Sequence, residues 1–322
     1  MPLRLVSRGM TLVELLVAML IGLFLIITVV SVYVSTATSS RVGVLSAQMN
    51  EDAALAIELL QEQVRLSAYS SQNSAGVRNF SGIPLRGCDG GFTAATDSGA
   101  FELLVCNNGN GPDALAVRYE ATRLNSQEAT TASLPANCTS NGIAAADLGS
   151  GVPISLADNR FYIANDGTNA GAPTLYCRGS NGAGGFSDAA ALIPNIEDLQ
   201  IRYVITRLPV VGDVMPHQVT AHVDATHAAL GNTLVNWSRV AAVHICLAAR
   251  SAQPMPLGDN QAGDVGRYID CTDTEQNPTD RFLRRSYRTT VFLRNSRPAV
   301  PGVFQLNGVT PANPYQHVTD AN

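Results

Sequence analysis

The fold is decided by SRGMTLVEL at 7–15 and by LVAMLIGLFLIITVVSVYV, which follows at 16–34. Residues 12–34 are 23 mostly apolar residues. As a helix they would extend about 35 Å, which is enough to cross a bilayer core. Arg4 and Arg8 precede this run, and the next basic residue is Arg41. The positive-inside rule therefore predicts a cytoplasmic N-terminus and one membrane helix, with the rest of the chain outside.

The small residue Gly9 lies before the apolar run. An ordinary secretory signal carries its small-residue cleavage site after a shorter apolar run, and the run is then discarded. A cut after Gly9 would instead remove a short basic leader and leave the helix on the mature chain. Met10 would then become the new N-terminus.

Glu14 is an acidic residue near the start of the predicted membrane helix. A carboxylate in a membrane span costs roughly 3 kcal/mol on insertion scales. Two interpretations remain open on the residues alone. The carboxylate could pair with a free Met10 amine, in its own chain or in a neighbour, at a helix end that favours negative charge. It could equally be an interfacial residue that snorkels to water in a simple single-pass anchor.

The run from Gly9 to Leu15 resembles the class III signal of type IV prepilins and pseudopilins. Leader, Gly, Thr-Leu-x-Glu-Leu and apolar helix all stand at that family's spacing. The resemblance implies that a prepilin peptidase cuts after Gly9 and methylates the Met10 amine. It also implies that Glu14 pairs with the N-terminal amine of an adjacent subunit during assembly. The chain departs from the family in having Met10 where Phe is usual, and in lacking a Pro within the apolar helix.

The helix is expected to continue beyond the membrane, because an apolar stripe recurs at spacings of three and four. The stripe consists of Val42, Leu45, Met49, Ala53, Ile57, Leu60 and Val64. Breaker residues after Ala68 predict the end of the helix. We therefore expect a leader at 1–9, an assembly helix at 10–70 and a β-rich globular domain at 71–322. The stripe should pack on a sheet of that domain.

The rest of the chain reads as loop-rich β structure, since Gly, Ser, Thr and Asn are abundant and only 15% of residues are charged. Strands are predicted at 100–106, 114–121, 159–164, 173–178, 199–206, 242–247 and 284–295. The predicted fold class is α+β and pilin-like, with one long N-terminal helix packed on a domain with an antiparallel sheet.

Three segments also resemble the C-terminal half of PilW-type minor pilins. They are IPNIEDLQIRYVI at 193–205, NWSRVAAVHICLAARS at 236–251 and RRSYRTTVFLRN at 284–295. The resemblance implies a non-catalytic minor pilin that primes pilus assembly and stays at or near the tip, with roles in twitching motility and adhesion. Alternatives are a minor pseudopilin of a type II secretion system, similar to pseudopilin J, and an adhesive domain anchored by a pilin helix.

That function implies several partners and locations. The partners would be the prepilin peptidase, other minor pilins, the major pilin and a large tip adhesin. The chain would lie in the inner membrane, with its domain in the periplasm, and then move to the pilus at the cell surface.

Six widely spaced cysteines in an exported chain predict disulfides. They are Cys88, Cys106, Cys138, Cys177, Cys246 and Cys271. Fifteen pairings are possible for six cysteines. Cys246 lies in a predicted strand, and the chain after Cys271 must return to the strand at 284–295. This favours Cys246–Cys271 and leaves Cys88–Cys106 and Cys138–Cys177 as the simplest remaining pairs.

The composition argues against several classes of chemistry. The chain has no Lys, which removes the P-loop lysine and Schiff-base mechanisms. His217, His222 and His227 are spaced by five, which does not present a metal triad on a helix or a strand. The acidic segment 259–280 lacks EF-hand spacing, so a solvated loop is favoured over a calcium site. We therefore expect no cofactor, no metal and no catalysis. The net charge of −5 argues against nucleic-acid binding, which requires a basic surface.

Overall fold

A computed structural model describes most of the chain beyond its first nine residues. The described residues are 10–74, 78–93, 101–107, 109, 111–129, 133–207, 218–255 and 266–295, with the backbone of 305–306 and 310–311. The expected leader at 1–9, including Gly9, lies outside the described residues.

The described chain is one long helix followed by many strands. The helices are α1 (Leu12–Leu66) and the single turn α2 (Leu234–Trp237), and a 3-10 turn spans Phe101–Leu103. The strands are β1 (Leu85–Cys88), β2 (Ala114–Ala121), β3 (Ala146–Asp147), β4 (Pro153–Asp166), β5 (Ala172–Gly179), β6 (Ala190–Pro194), β7 (Ile196–Thr206), β8 (Val219–Val223), β9 (Val240–Arg250), β10 (Tyr268–Ile269), β11 (Glu275–Gln276), β12 (Arg284–Phe292), β13 (Gln305–Leu306) and β14 (Thr310–Pro311).

Helix α1 is long and apolar enough to cross a membrane, and no residue of its apolar N-terminal part is buried in the structure. Burial begins only at Leu45 and continues through Met49, Ala53, Ala56, Leu60 and Val64. These residues fall on one face of the helix, and α1 contacts β9, β12, β2 and β6. Five of the seven residues of the predicted stripe are therefore buried, Ile57 is partly buried against the core, and Val42 is half-buried. Ser67 caps the helix, and Ala68 follows with a φ of 63°.

The strands form two larger antiparallel sheets beside α1 and two separate two-stranded pairs, β10-β11 and β13-β14. The first has the order β1-β2-β4-β5-β6, with β3 paired to β4, and the second has the order β12-β9-β7-β8. The fold-class prediction is confirmed, since one long N-terminal apolar helix packs on a β-rich domain with antiparallel sheets.

The buried Asp113 joins the two sheets just before β2. Its N–H donates to the Leu199 carbonyl at 2.7 Å, and its Oδ2 accepts from the Ile201 N–H at 2.7 Å. Burial raises the pKa of Asp113 to about 7, although the N–H groups of Ile201 and Gly90 oppose this shift by stabilising the carboxylate. These backbone bonds fix the position of β7 against the first sheet.

Polar side chains also anchor α1 to both sheets. Asn159 on β4 is buried and donates to Gln63 Oε1 at 2.8 Å, which attaches the helix to the first sheet. On the second sheet, Tyr287 of β12 donates to Asn50 Oδ1. Because a buried polar group is costly without a partner, such bonds define how far along its axis the helix lies on the sheets.

One predicted strand is wrong. At 100–106 the described part is a 3-10 turn over Phe101–Leu103, and Cys106 makes only a single bridge with Phe92. The Phe101 side chain is fully buried, with the Arg118 guanidinium 4.2 Å from its ring centroid, whereas Leu103 is 66% exposed. Apolar residues suggested a strand here, but the turn buries only some of them.

The other six predicted strands lie within β2, β4, β5, β7, β9 and β12, up to the end of β12 at Phe292. β4 is the most extended beyond its prediction, since it runs for 14 residues. The short strands β1, β3, β6, β8, β10 and β11 were not predicted. Their two to five residues give too few alternations to be recognised.

Candidate assembly site on the long helix

Helix α1 begins with a capping box formed by Thr11 and Glu14. The Glu14 N–H donates to Thr11 Oγ1 at 3.3 Å, and the Thr11 N–H donates to Glu14 Oε2 at 2.9 Å. The Thr11 hydroxyl also donates to Glu14 Oε2 at 3.1 Å. Such a box satisfies two backbone donors that the first turn of a helix leaves free. This box was not predicted from the sequence, although Thr-x-x-Glu before an apolar run is its signature.

This geometry gives the Glu14 carboxylate a partner within its own chain. The carboxylate remains exposed at the first turn of the helix, where the helix dipole favours negative charge. It is therefore held at the helix end, next to Met10, and still available to a cation from another molecule. The structure thus places Met10 and Glu14 together at one end of α1, whereas Gly9 lies outside the described residues.

The next part of the site is the bare surface of α1 between Leu12 and Val44. Leu12 is 76% exposed and Val44 is 63% exposed. This part of the helix is about 50 Å long at 1.5 Å per residue. No described residue of the globular domain covers it, so lipid chains or other apolar helices are the surroundings that would bury it.

All six cysteines are paired in the structure. The pairs are Cys88–Cys106, Cys138–Cys177 and Cys246–Cys271, with Cα–Cα distances of 5.0, 6.2 and 5.6 Å. These are the pairs that the sequence analysis favoured. The first two bonds attach loops to the first sheet, and the third attaches the β10–β11 hairpin to β9.

Removing the third disulfide with Cys246→Ser and Cys271→Ser together should lower the unfolding free energy by about 3 kcal/mol, because a bond closing a loop of this length restricts the unfolded chain. The two cysteines are 25 residues apart. Guanidinium denaturation of the full chain in detergent measures the change. Hydrogen exchange should also rise at 268–276, since the main remaining contacts of this hairpin with β12 are side-chain bonds such as Arg288 to Asp270 O. An unchanged denaturation midpoint would contradict this prediction.

The structure does not bring the histidines spaced by five residues together as a group. His217 lies outside the described residues, His222 is on β8, and His227 lies in the turn that follows β8. His222 instead stacks on His244 of β9, with ring centroids 5.0 Å apart. Burial, together with the neighbouring His222, lowers the pKa of His244.

The acidic segment 259–280 is used in loop contacts where it is described. Asp270 accepts bonds from Thr272 and Thr274, Asp273 pairs with Arg288, and Asp280 pairs with Arg284. Asp259 and Asp264 lie outside the described residues. Within the described ranges no group of three or more His, Cys, Asp or Glu residues is placed to hold a metal ion.

Part of the chain is similar to a known protein family. Residues 160–295 match the family Type IV Pilus-assembly protein W. This range contains all three segments that resemble PilW-type minor pilins, so that resemblance is confirmed, and it supports a role related to the type IV pilus. It runs from the middle of β4 through β12 and so includes the whole second sheet.

No curated protein matches the sequence. Among solved structures, a type IV-like pilin from Thermus thermophilus matches with 11% sequence identity and a TM-score of 0.35, over 76% of this chain and 97% of that one.

Proposed function

We propose that this chain is a non-catalytic minor pilin of the type IV pilus, which helps to prime pilus assembly and remains at or near the tip. The observation that carries the proposal is that three features occur together on α1. An acidic capping box begins a bare apolar half-helix, and the other half is packed on a domain whose second sheet matches the pilus-assembly family.

The proposed path begins in the inner membrane. There the apolar half of α1 crosses the bilayer, and the globular domain lies on the periplasmic side. A prepilin peptidase removes 1–9 and methylates Met10. The exposed carboxylate of Glu14 then pairs with the N-terminal amine of a neighbouring subunit, and the bare apolar surface exchanges lipid for the helices of other minor pilins and the major pilin. At the tip, a large adhesin is a further partner.

Processing is the first test of this proposal. Co-expression with a prepilin peptidase should shorten the chain by the nine residues before Met10 and leave a methyl group on the Met10 amine, both seen by intact-mass spectrometry. The matched control is Gly9→Val, because a branched side chain at the cleavage position should keep the leader in place. A membrane-bound chain that retains its leader in the presence of the peptidase would refute the proposal.

Membership of a pilus can be tested separately from processing. Deletion of the gene should abolish twitching motility and leave protein secretion intact. Loss of secretion with normal motility would assign the chain to a type II secretion system. Loss of surface adhesion alone would assign it to the class of adhesive domains anchored by a pilin helix.

A further inference from the structure

A surface depression of about 520 Å³ lies where the first sheet meets the segment after β8. Arg86 and Gly87 of β1 line it from one side, and Ala225, Ala228 and Asn232 line it from the other. We call it the Arg86 pocket. It lies in the globular domain, away from the capping box and the bare half of α1.

Arg86 is unusual because it is a buried cation with neutral partners. The residue is 5% exposed. Its Nη1 donates to the carbonyls of Phe101, at 3.1 Å, and Glu102, and its Nη2 donates to Asn232 Oδ1 at 3.1 Å. Its Nε has no hydrogen-bond partner among the residues that the structure describes.

The nearby carboxylates are engaged by other groups. Glu102 interacts electrostatically with Arg86, but its carboxylate lies 3.4 Å from Arg118 Nη1. Asp89 accepts the N–H groups of Ala225 and Thr226 at 3.0 and 3.1 Å. Burial lowers the pKa of Arg86, and the interactions of its charge with Glu102 and Tyr203 oppose this shift. Because these interactions offset only part of the cost of burying this charge, an added anion would be stabilised here.

The rim of the pocket is apolar and open to solvent. Leu103 and Val105 line it and are 66% and 56% exposed. These side chains come from the segment 101–107, which the Cys88–Cys106 disulfide attaches to β1. A ligand that fits this pocket therefore combines a carboxylate with an adjoining apolar group, which would cover the rim while the charge meets Arg86.

We infer that the Arg86 pocket binds a segment of a partner protein that presents a carboxylate next to an apolar side chain. The choice of a protein as the source rests on the proposed pilus function, in which this domain contacts other subunits. Charge complementarity with the buried guanidinium selects an acidic group, and the exposed Leu103 and Val105 select an apolar neighbour.

The chemistry is tested on the full chain in detergent with two small probes, N-acetyl-leucine and N-acetyl-leucinamide, which differ only in the carboxylate. Calorimetric titration should show saturable millimolar binding of the acid and at least about tenfold weaker binding of the amide, a difference of ~1.4 kcal/mol. Val105→Glu should weaken binding of the acid by a similar factor, because it adds a negative charge at the rim. Leu124→Glu is the matched control, since Leu124 is 96% exposed and does not line the pocket.

The source is tested in piliated cells with a photo-crosslinking residue at Leu103, compared with the same residue at Leu124. We expect a covalent adduct with another pilus subunit from Leu103 only. The proposed binding is overturned if acid and amide bind equally, if the acid does not bind, or if Val105→Glu binds like the unaltered chain. Binding of the acid without a protein adduct also overturns it. None of these outcomes affects cleavage at Gly9, so a failure of the pocket is distinguishable from a failure of the pilin proposal.

Discussion

Gly87→Ala is expected to cause a large loss of stability in the globular domain. A Cβ atom at this position would lie 1.8 Å from the Tyr203 hydroxyl oxygen and 2.7 Å from Tyr203 Cζ. The Tyr203 side chain is fully buried, and its ring lies edge-on to Trp237 at a centroid distance of 5.2 Å. Because β1 and the Tyr203 ring are both buried in the core, the added methyl group must displace one of them.

We expect the unfolding free energy to fall by about 3 kcal/mol or more, at the upper end of what overpacking costs in a close-packed core. This is a large share of the 5–15 kcal/mol that typically stabilises a folded protein. Trp237 is the only tryptophan of the chain, so its fluorescence during guanidinium denaturation reports directly on this part of the core.

Two further variants identify the cause. Gly167→Ala is the matched control, because a Cβ atom there has nothing within 4 Å and its backbone has no positive φ. Tyr203→Phe should change stability little on its own, since the hydroxyl has no hydrogen-bond partner among the described residues. In the Gly87→Ala background it should restore part of the loss by removing the nearest atom. Equal stability of Gly87→Ala and Gly167→Ala would show that the strand adapts at no cost.

The Gly87–Tyr203 contact illustrates what the sequence does not reveal. The alternation of Leu199, Ile201 and Tyr203 predicted a half-buried strand. In the structure these residues lie on β7 and are buried in the hydrophobic core. Nothing in that pattern indicates which strand of another sheet lies against Tyr203. Gly87 follows Arg86 in a four-residue strand that is too short to show a period. Local periodicity therefore predicted the elements, whereas the contacts between distant elements required the structure.

The same distinction applies to the candidate site. Glu14 was noticeable in the sequence as an acidic residue in an apolar run shortly after Gly9. Its role in assembly was predicted from the resemblance to prepilins. The signature of the capping box, Thr11-x-x-Glu14, is present in the sequence. It was not recognised because the apolar run beside it is the more conspicuous pattern. Arg86 gave no signal, because its importance arises from burial and from neutral partners that come from distant segments.

Glu14→Gln is expected to have the largest effect on assembly. Gln at the third position of a helix also forms a capping box, so the start of α1 should remain intact and the chain should still insert and be cut. Only the charge is lost, and with it the attraction to a neighbouring N-terminal amine. We expect the fraction of the chain found in sheared pili to fall at least about tenfold relative to the membrane fraction, which corresponds to ~1.4 kcal/mol.

Immunoblots of sheared pili and membranes measure this ratio. Glu62→Gln is the matched control, since Glu62 lies on the exposed face of the domain-packed half of α1 and carries the same charge. Thr11→Ala separates the two roles of Glu14, because it removes the hydroxyl of the capping box and leaves the carboxylate charged. If assembly depends on the charge, Thr11→Ala should reduce incorporation less than Glu14→Gln does. Normal incorporation of Glu14→Gln would show that Glu14 only caps the helix at the membrane interface. Thr11→Ala would then reduce incorporation more than Glu14→Gln does.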